Sequence, residues 1–467
     1  MALWIRWWEV VRQFRPVFSR TRTFLWFAAV VAGMTIRGDL MGVTSFVRSL
    51  GLQESCYDRI LDFFHSKGLD LGKLTIAWTA LLLRIHPDLV RANGRLVLLG
   101  DGMKVPKSGK KMPAVKLLHQ ESESNTKPEY IMGHSCQAIA ILAGALQGFF
   151  AIPLTSRIHE GVVFSNRDKR TLLDKMVLLV ESLGIRDPFY FVADAYYANR
   201  KIVMGLLEQG NHLISRVKSN AVAYCQALDS EQPKGRGRRR KYGKKLHLRS
   251  LFAEPELMQI AQSPVYSEQN IQIRFRCLDL LWRPVGILVR FVAVIHPTRG
   301  TILLMATHLD LSPLEIIRLY GLRFKIEVSF KQAIRTLGVY TYHFWMHAMT
   351  PLRRSSGNQY LHRKSKDYRN SVRRKLEAYH RHIQIGLIAQ GILQYLATAF
   401  PNLVWSSFGS WLRTIRSDVC PSELVTAIAL RNVLPEFLAD GTGEPIFKEF
   451  LRDRIDISRT EGLRMIA

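Results

Sequence analysis

At 467 residues the chain is too long for one ordinary hydrophobic core, so two or three domains are expected. Apolar residues make up 48% and aromatics 10%, which excludes an intrinsically disordered chain. A formal charge of +28 favours a polyanionic partner, nucleic acid ahead of an acidic membrane surface.

The first stretch, 1–94, reads as helical. Arg6, Arg12 and Arg15 precede an apolar run, Phe24 to Met34, that resembles a signal-peptide core but is too short to span a bilayer. It is expected as a buried helix, and no membrane association is expected. Helices are predicted at Thr44 to Ser49, Ser55 to Lys67 and Gly72 to Ile85. Short helices with exposed cations fit a DNA-binding domain of the helix-turn-helix kind.

From Arg95 strands take over. Leu96-Val97-Leu98-Leu99 runs into Gly100-Asp101-Gly102, and further strands are expected at Gln137 to Leu142 and Gly148 to Pro153. A helix over Arg167 to Leu183 leads to Phe189-Tyr190-Phe191-Val192-Ala193, an apolar strand ending in Asp194. Helix Asn199 to Glu208 and strand His212 to Val217 close this part. Residues 95–218 and 312–400 therefore form an α/β core with a mixed sheet. Between them, 219–311 is a β-rich insertion with strands at Ile271 to Cys277, Gly286 to Ile295 and Thr301 to His308. Two basic runs, 233–245 and 353–375, are expected as loops that track phosphates. Helix His380 to Phe400 and a helical region, 401–467, finish the chain.

The five cysteines are scattered and form no C-x-x-C pair, so a disulfide framework and a zinc ribbon are both excluded. They suit a reducing cytosol, and a cytoplasmic location is expected. Gly102 to Lys111 is rich in glycine and lysine, but its glycines are too far apart for a phosphate-binding P-loop, so no nucleotide hydrolysis is expected.

Ser312-Pro313-Leu314-Glu315 announces another helix, stopped near Gly338. On it Tyr320, Arg323, Glu327 and Lys331 form one charged stripe. Leu319, Leu322, Ile326, Phe330, Ala333 and Leu337 flank it on one side, and Ile317, Phe324 and Val328 on the other. Arg318, Lys325, Ser329 and Gln332 are left for the solvent face. Ions between apolar bands are costly unless paired or bound. The stripe is thus either a half-buried salt-bridge ladder or a site with partners elsewhere. Asp101 and Asp194, each closing an apolar strand, are the candidate partners. Three converging carboxylates suit two Mg²⁺ or Mn²⁺ ions, which prefer oxygen ligands and activate a water or a 3′-hydroxyl for phosphodiester displacement. Arg323, Lys331 and Tyr320 would then hold phosphates.

Asp101, Asp194 and Glu327 resemble the DDE triad of bacterial insertion-sequence transposases. Tyr320-x-x-Arg323-x-x-x-Glu327 matches the Tyr-Arg-Glu signature of the subgroup with a β-rich insertion between the second Asp and the Glu. The resemblance covers roughly 95–338. It implies an RNase H-like core, strand cleavage at the element's ends and transfer into target DNA, with a homodimer bridging two double-stranded ends. It also implies a phosphate contact for Tyr320 and Arg323 and a base-stacking aromatic in the insertion, for which Trp282 is the candidate. The signature's later lysine is absent, since position 334 is isoleucine. Lys331 and Arg335 are the substitutes in reach. A nuclease without strand transfer and an inactive DNA-binding descendant are the alternatives.

Overall fold

The computed structural model describes residues 1–120, 128–227, 240–409, 415–416, 418–439 and 446–458. Five helices come first: α1 (Ala2–Val11), α2 (Thr21–Ile36), α3 (Val43–Ser49), α4 (Cys56–His65) and α5 (Leu71–Ile85). The apolar run of α2 is buried from Phe24 to Ile36, as its composition requires. No single helix among the described residues is long and apolar enough to cross a membrane.

The sheet follows. Strands β1 (Arg95–Pro106), β2 (Tyr130–Ala145) and β3 (Gly148–Ile158) are antiparallel neighbours. Helix α6 (Leu172–Glu181) leads to β4 (Phe189–Ala193), and α7 (Arg200–Leu207) leads to β5 (His212–Arg216). Both β4 and β5 run parallel to β1, which gives the order β3-β2-β1-β4-β5. Helical crossovers are what parallel neighbours need. This is the expected RNase H-like mixed sheet.

The insertion supplies β6 (Val222–Gln226), β7 (Tyr242–His247), β8 (Gln259–Gln262), β9 (Gln272–Trp282), β10 (Ile287–His296) and β11 (Gly300–Ala306). Through β11, which pairs with β5, it continues the core sheet instead of forming a separate one. Part of the first basic run, 233–239, lies outside the described residues.

Alternation along the strands sorts the core into two faces. Leu96, Leu98, Phe189, Phe191, Ile139 and Ile141 face the helices of both chain ends, α10 (Lys366–Ala399) above all. Val97, Leu99, Tyr190, Val192 and Ile214 face α8 (Pro313–Gly321). Helix α10 starts earlier than the sequence suggests: the Ser365 hydroxyl caps it, so the second basic stretch is loop only up to there.

The helix carrying the charged stripe is not continuous. Ser312 caps α8 as expected, although the Glu315 carboxylate turns to Arg318. A 3₁₀ turn, Leu322–Phe324, then separates α8 from α9 (Lys325–Arg335). Three residues of 3₁₀ helix advance about 60° further than three of α-helix, so the two halves are out of phase. The first apolar band is buried as predicted except for a half-buried Phe330, but Phe324 and Val328 face solvent. Ser329, expected outside, is buried, and Gln390 of α10 donates to its carbonyl at 3.0 Å and its hydroxyl at 3.1 Å. Arg37, just after α2, donates to the Leu337 carbonyl beyond the end of α9. The N-terminal helices thereby help to hold the helix of Glu327.

Candidate active site

The sheet register brings the two aspartates together. Gly100 and Ala193 are the last parallel pair of β1 and β4, and Asp101 and Asp194 are the next residues of each. They extend the rows Val97-Leu99-Asp101 and Tyr190-Val192-Asp194, on the face that α8 and α9 cover. Asp194 ends its strand as expected. Asp101 does not: β1 continues to Pro106, paired with β2, so this carboxylate stands on rigid sheet. Gly100 matters here because a Cβ would collide with the Phe191 ring that lies against it.

Arg323, in the 3₁₀ turn, joins the third acid to this pair. Its Nη1 donates to Asp101 Oδ2 at 3.0 Å and its Nη2 to Glu327 Oε1 at 2.6 Å. Asp101 also accepts from the Gly102 amide at 2.7 Å, and Asp194 Oδ1 accepts from the Tyr196 amide at 3.1 Å. Burial pushes the Asp101 carboxyl up to about 6; Arg323 draws it down, while Asp194 and Glu327 push it further up. Three carboxylates therefore share one electrostatic site held by one guanidinium. Among the described residues no group of three His, Cys, Asp or Glu side chains is gathered for a metal ion, because the guanidinium lies between two of the triad's acids. The oxygen-only donor set and the crowding that lifts Asp101 nevertheless fit a hard divalent cation.

Tyr320 is half-buried. Burial raises its pKa against the pull of Arg323 and Arg216, so its hydroxyl stays protonated at neutral pH. With Arg323 it lines a cleft of about 610 Å³ that also holds Asp194, Arg216, Lys218 and Asn220. Sequence reading missed Arg216 and Lys218. Their signal was position: Arg216 closes and Lys218 follows β5, the strand beside that of Asp194, and ligands of α/β sheets gather at such strand ends.

Lys331 is exposed one turn beyond Glu327, and Arg335 is exposed in the last turn of α9. Trp282 is not brought here. It is 7% exposed, closes β9, and belongs to the core on the opposite face of the sheet. Its alternation with Leu280 on β9 turns it inward.

A family model described as DDE superfamily endonuclease matches residues 13–275, a span that contains both aspartates and stops before Glu327. The chain belongs to this family. No curated protein matches it. Among solved structures it is similar to a piggyBac transposase synaptic complex with hairpin DNA, at 10% identity over 93% of this chain and 75% of the other, with a TM-score of 0.35.

Proposed function

We propose that this DDE endonuclease is a DNA transposase, cleaving strands at the ends of an insertion sequence and joining them to target DNA. The observation that carries the reading is that Arg323 bridges Asp101 and Glu327, with Asp194 beside Asp101 in the sheet register, next to a cleft lined with further cations. Asp101, Asp194 and Glu327 would hold Mg²⁺ or Mn²⁺, which when bound supplies Lewis-acid activation of the attacking and leaving oxygens. Arg323 neutralises two of the carboxylates in the free protein, and its planar fork also matches phosphate oxygens. The Tyr320 hydroxyl, kept protonated, donates to a phosphate oxygen. Arg216 and Lys218 extend the positive surface, and Lys331 and Arg335 flank it from α9. The partners are double-stranded element ends and target DNA, with a homodimer holding two ends.

The test is Mg²⁺-dependent cleavage and joining of the DNA ends that flank the gene, by the wild type and by Glu327→Gln. Cleavage and joining by the wild type alone is the expected result. Full activity in Glu327→Gln removes the triad. Cleavage without joining favours a nuclease that uses the same site.

A further inference from the structure

On the other face of the sheet from the triad, where β3 ends against α6 and α10, lies a cleft of about 710 Å³. Its charges are unbalanced. At its rim Arg170 is paired with Asp168 at 2.7 Å, and Glu160 in its wall with Lys116 at 3.2 Å. Three other cations in its lining hydrogen-bond only neutral oxygens. Arg157 donates to the Ser156 carbonyl, Gln384 Oε1 and Thr75 Oγ1 at 2.9–3.0 Å. Lys175 donates to the His159 carbonyl at 2.5 Å. Arg373 donates to Asn370 Oδ1 at 3.2 Å and lies over the Phe164 ring at 4.7 Å. Lys175 also feels the charges of Asp168 and Glu160, but the lining as a whole holds more cations than carboxylates, which favours an anionic occupant.

Two histidines add polar groups without adding charge. His380 Nε2 accepts from the Ile158 amide at 3.1 Å, which leaves Nδ1 as its donor nitrogen. Burial holds both His380 and His159 well below the ordinary imidazole range.

Gln137 and Tyr197 link this cleft to the triad: Gln137 Oε1 lies 2.5 Å from His159 Nδ1 in the cleft wall, and Gln137 Nε2 donates to the Tyr197 hydroxyl at 3.1 Å. Beside Tyr197 stands Tyr196. Its ring is fixed edge-on against Tyr197 at 5.3 Å, and its amide donates to Asp194. It is nonetheless 52% exposed. An exposed, rigid aromatic beside a basic groove suits an unpaired base, because stacking needs a free π-face that a paired base in a duplex does not offer. The cleft's volume suits a nucleotide-sized group.

We propose that an unpaired DNA strand adjoining the scissile phosphate passes from the triad over Tyr196, where a base stacks, into this cleft, where Lys175 and Arg373 take its phosphates and the buried Arg157 adds positive charge from behind. This rests on the DNA-processing reading above but assigns the strand a second binding site on the opposite face of the sheet.

The experiment is fluorescence anisotropy with the full chain in EDTA, using labelled oligo-dT of about 20 nucleotides and a duplex of the same length. Lys175→Gln with Arg373→Glu is expected to weaken oligo-dT binding at least about tenfold and to lower the logarithmic salt slope by about 1.4, two phosphate contacts' worth. Duplex binding should change less than about twofold. Tyr196→Ala should weaken oligo-dT about tenfold and Tyr196→Phe should restore it. If the double variant does not fold, Arg373→Glu alone, on an exposed helix position, carries the test with a loss of about threefold or more. Oligo-dT binding within twofold of wild type in these variants overturns the inference, and so does an equal loss for duplex, which would make the cleft a duplex surface. Cleavage is read separately: a protein that binds oligo-dT through the cleft yet cleaves no DNA end in Mg²⁺ sinks the transposase reading and leaves the cleft standing as a single-strand site.

Discussion

Two carboxylates of this sheet sit in similar depth and differ in company. The Glu268 side chain, between β8 and β9, is 7% exposed and saturated with donors: His296 Nε2 at 3.0 Å, Arg299 at 2.7 Å, and the Ser263 hydroxyl. Burial pushes its pKa up, but those donors outweigh burial and hold it below the ordinary value. The Asp101 side chain, 16% exposed, has one amide and a share of one guanidinium, and two other acids push against it. There burial wins. A carboxylate that serves the fold is surrounded until its charge is satisfied; one left short of donors among like charges is poised for a ligand the protein does not itself supply.

That contrast breaks most visibly in activity. Glu327→Gln should lower DNA cleavage by about three orders of magnitude while leaving the melting temperature nearly unchanged, since Glu327 lies in an exposed first turn. Glu268→Gln should do the reverse. It leaves the Ser263 hydroxyl and the buried His296 ring with a weaker acceptor and the exposed Arg299 without its partner, and should cost about 1–2 kcal/mol of stability in denaturant unfolding, with cleavage retained wherever the protein is folded. A Glu268→Gln protein of normal stability and no activity would reverse the assignment of the two sites.

The pH dependence of stability gives the same contrast with opposite signs. Asp101 is raised from 3.8 to about 6, so its folded form binds a proton more tightly than its unfolded form. Its ionisation in the folded state is a cost, absent below pH 3.8, growing through the window and complete above about 6. In EDTA, Asp101→Asn should therefore be more stable than wild type at pH 7.5 by about 2 kcal/mol, with the difference vanishing near pH 4. Glu268, held below its ordinary 4.5, contributes stability above that value and loses it as the pH falls. Unfolding curves of Asp101→Asn that track wild type at every pH would mean that Asp101 is not strained by its neighbours.

Much of the catalytic frame was legible in the chain. The runs Leu96 to Leu99 and Phe189 to Ala193 are continuous and apolar because both faces of the central strands are buried, and their ends pointed to Asp101 and Asp194. What stayed hidden depended on tertiary contacts. Gly321, just before Leu322-Arg323-Phe324, is a local sign of a break, but a single helical glycine does not by itself dictate the 3₁₀ turn that turns Ser329 inward and Val328 outward. Asp101 read as a strand end because polar residues follow it, yet β1 continues there as a half-exposed strand paired with β2. A stacking Trp282 and a core Trp282 look the same in sequence, and the register of β9 places it in the core. The cleft of Arg157, Lys175 and Arg373 draws on β3, α6 and α10, which no local pattern connects.

The smallest expected effect lies in two tyrosine hydroxyls near the triad. Tyr197 is 2% exposed, and its oxygen accepts from Gln137 Nε2 at 3.1 Å, so this hydroxyl serves the fold. Tyr197→Phe leaves a buried amide hydrogen without an acceptor and should cost about 1–2 kcal/mol of stability. The Tyr320 hydroxyl instead faces Arg323 and Arg216 at the mouth of a cleft. Tyr320→Phe keeps the half-buried ring and leaves Arg323 on Asp101 and Glu327, so stability should change by no more than about 0.5 kcal/mol. Its loss should appear on substrate, as a roughly fivefold to tenfold weaker complex with cleavable DNA, the net worth of about one solvent-competed hydrogen bond. Chemical denaturation and DNA titration of the two variants separate these roles. A Tyr320→Phe protein that loses stability but binds DNA normally would move Tyr320 from the site to the core, and Arg323 would then be left as the clamp without it.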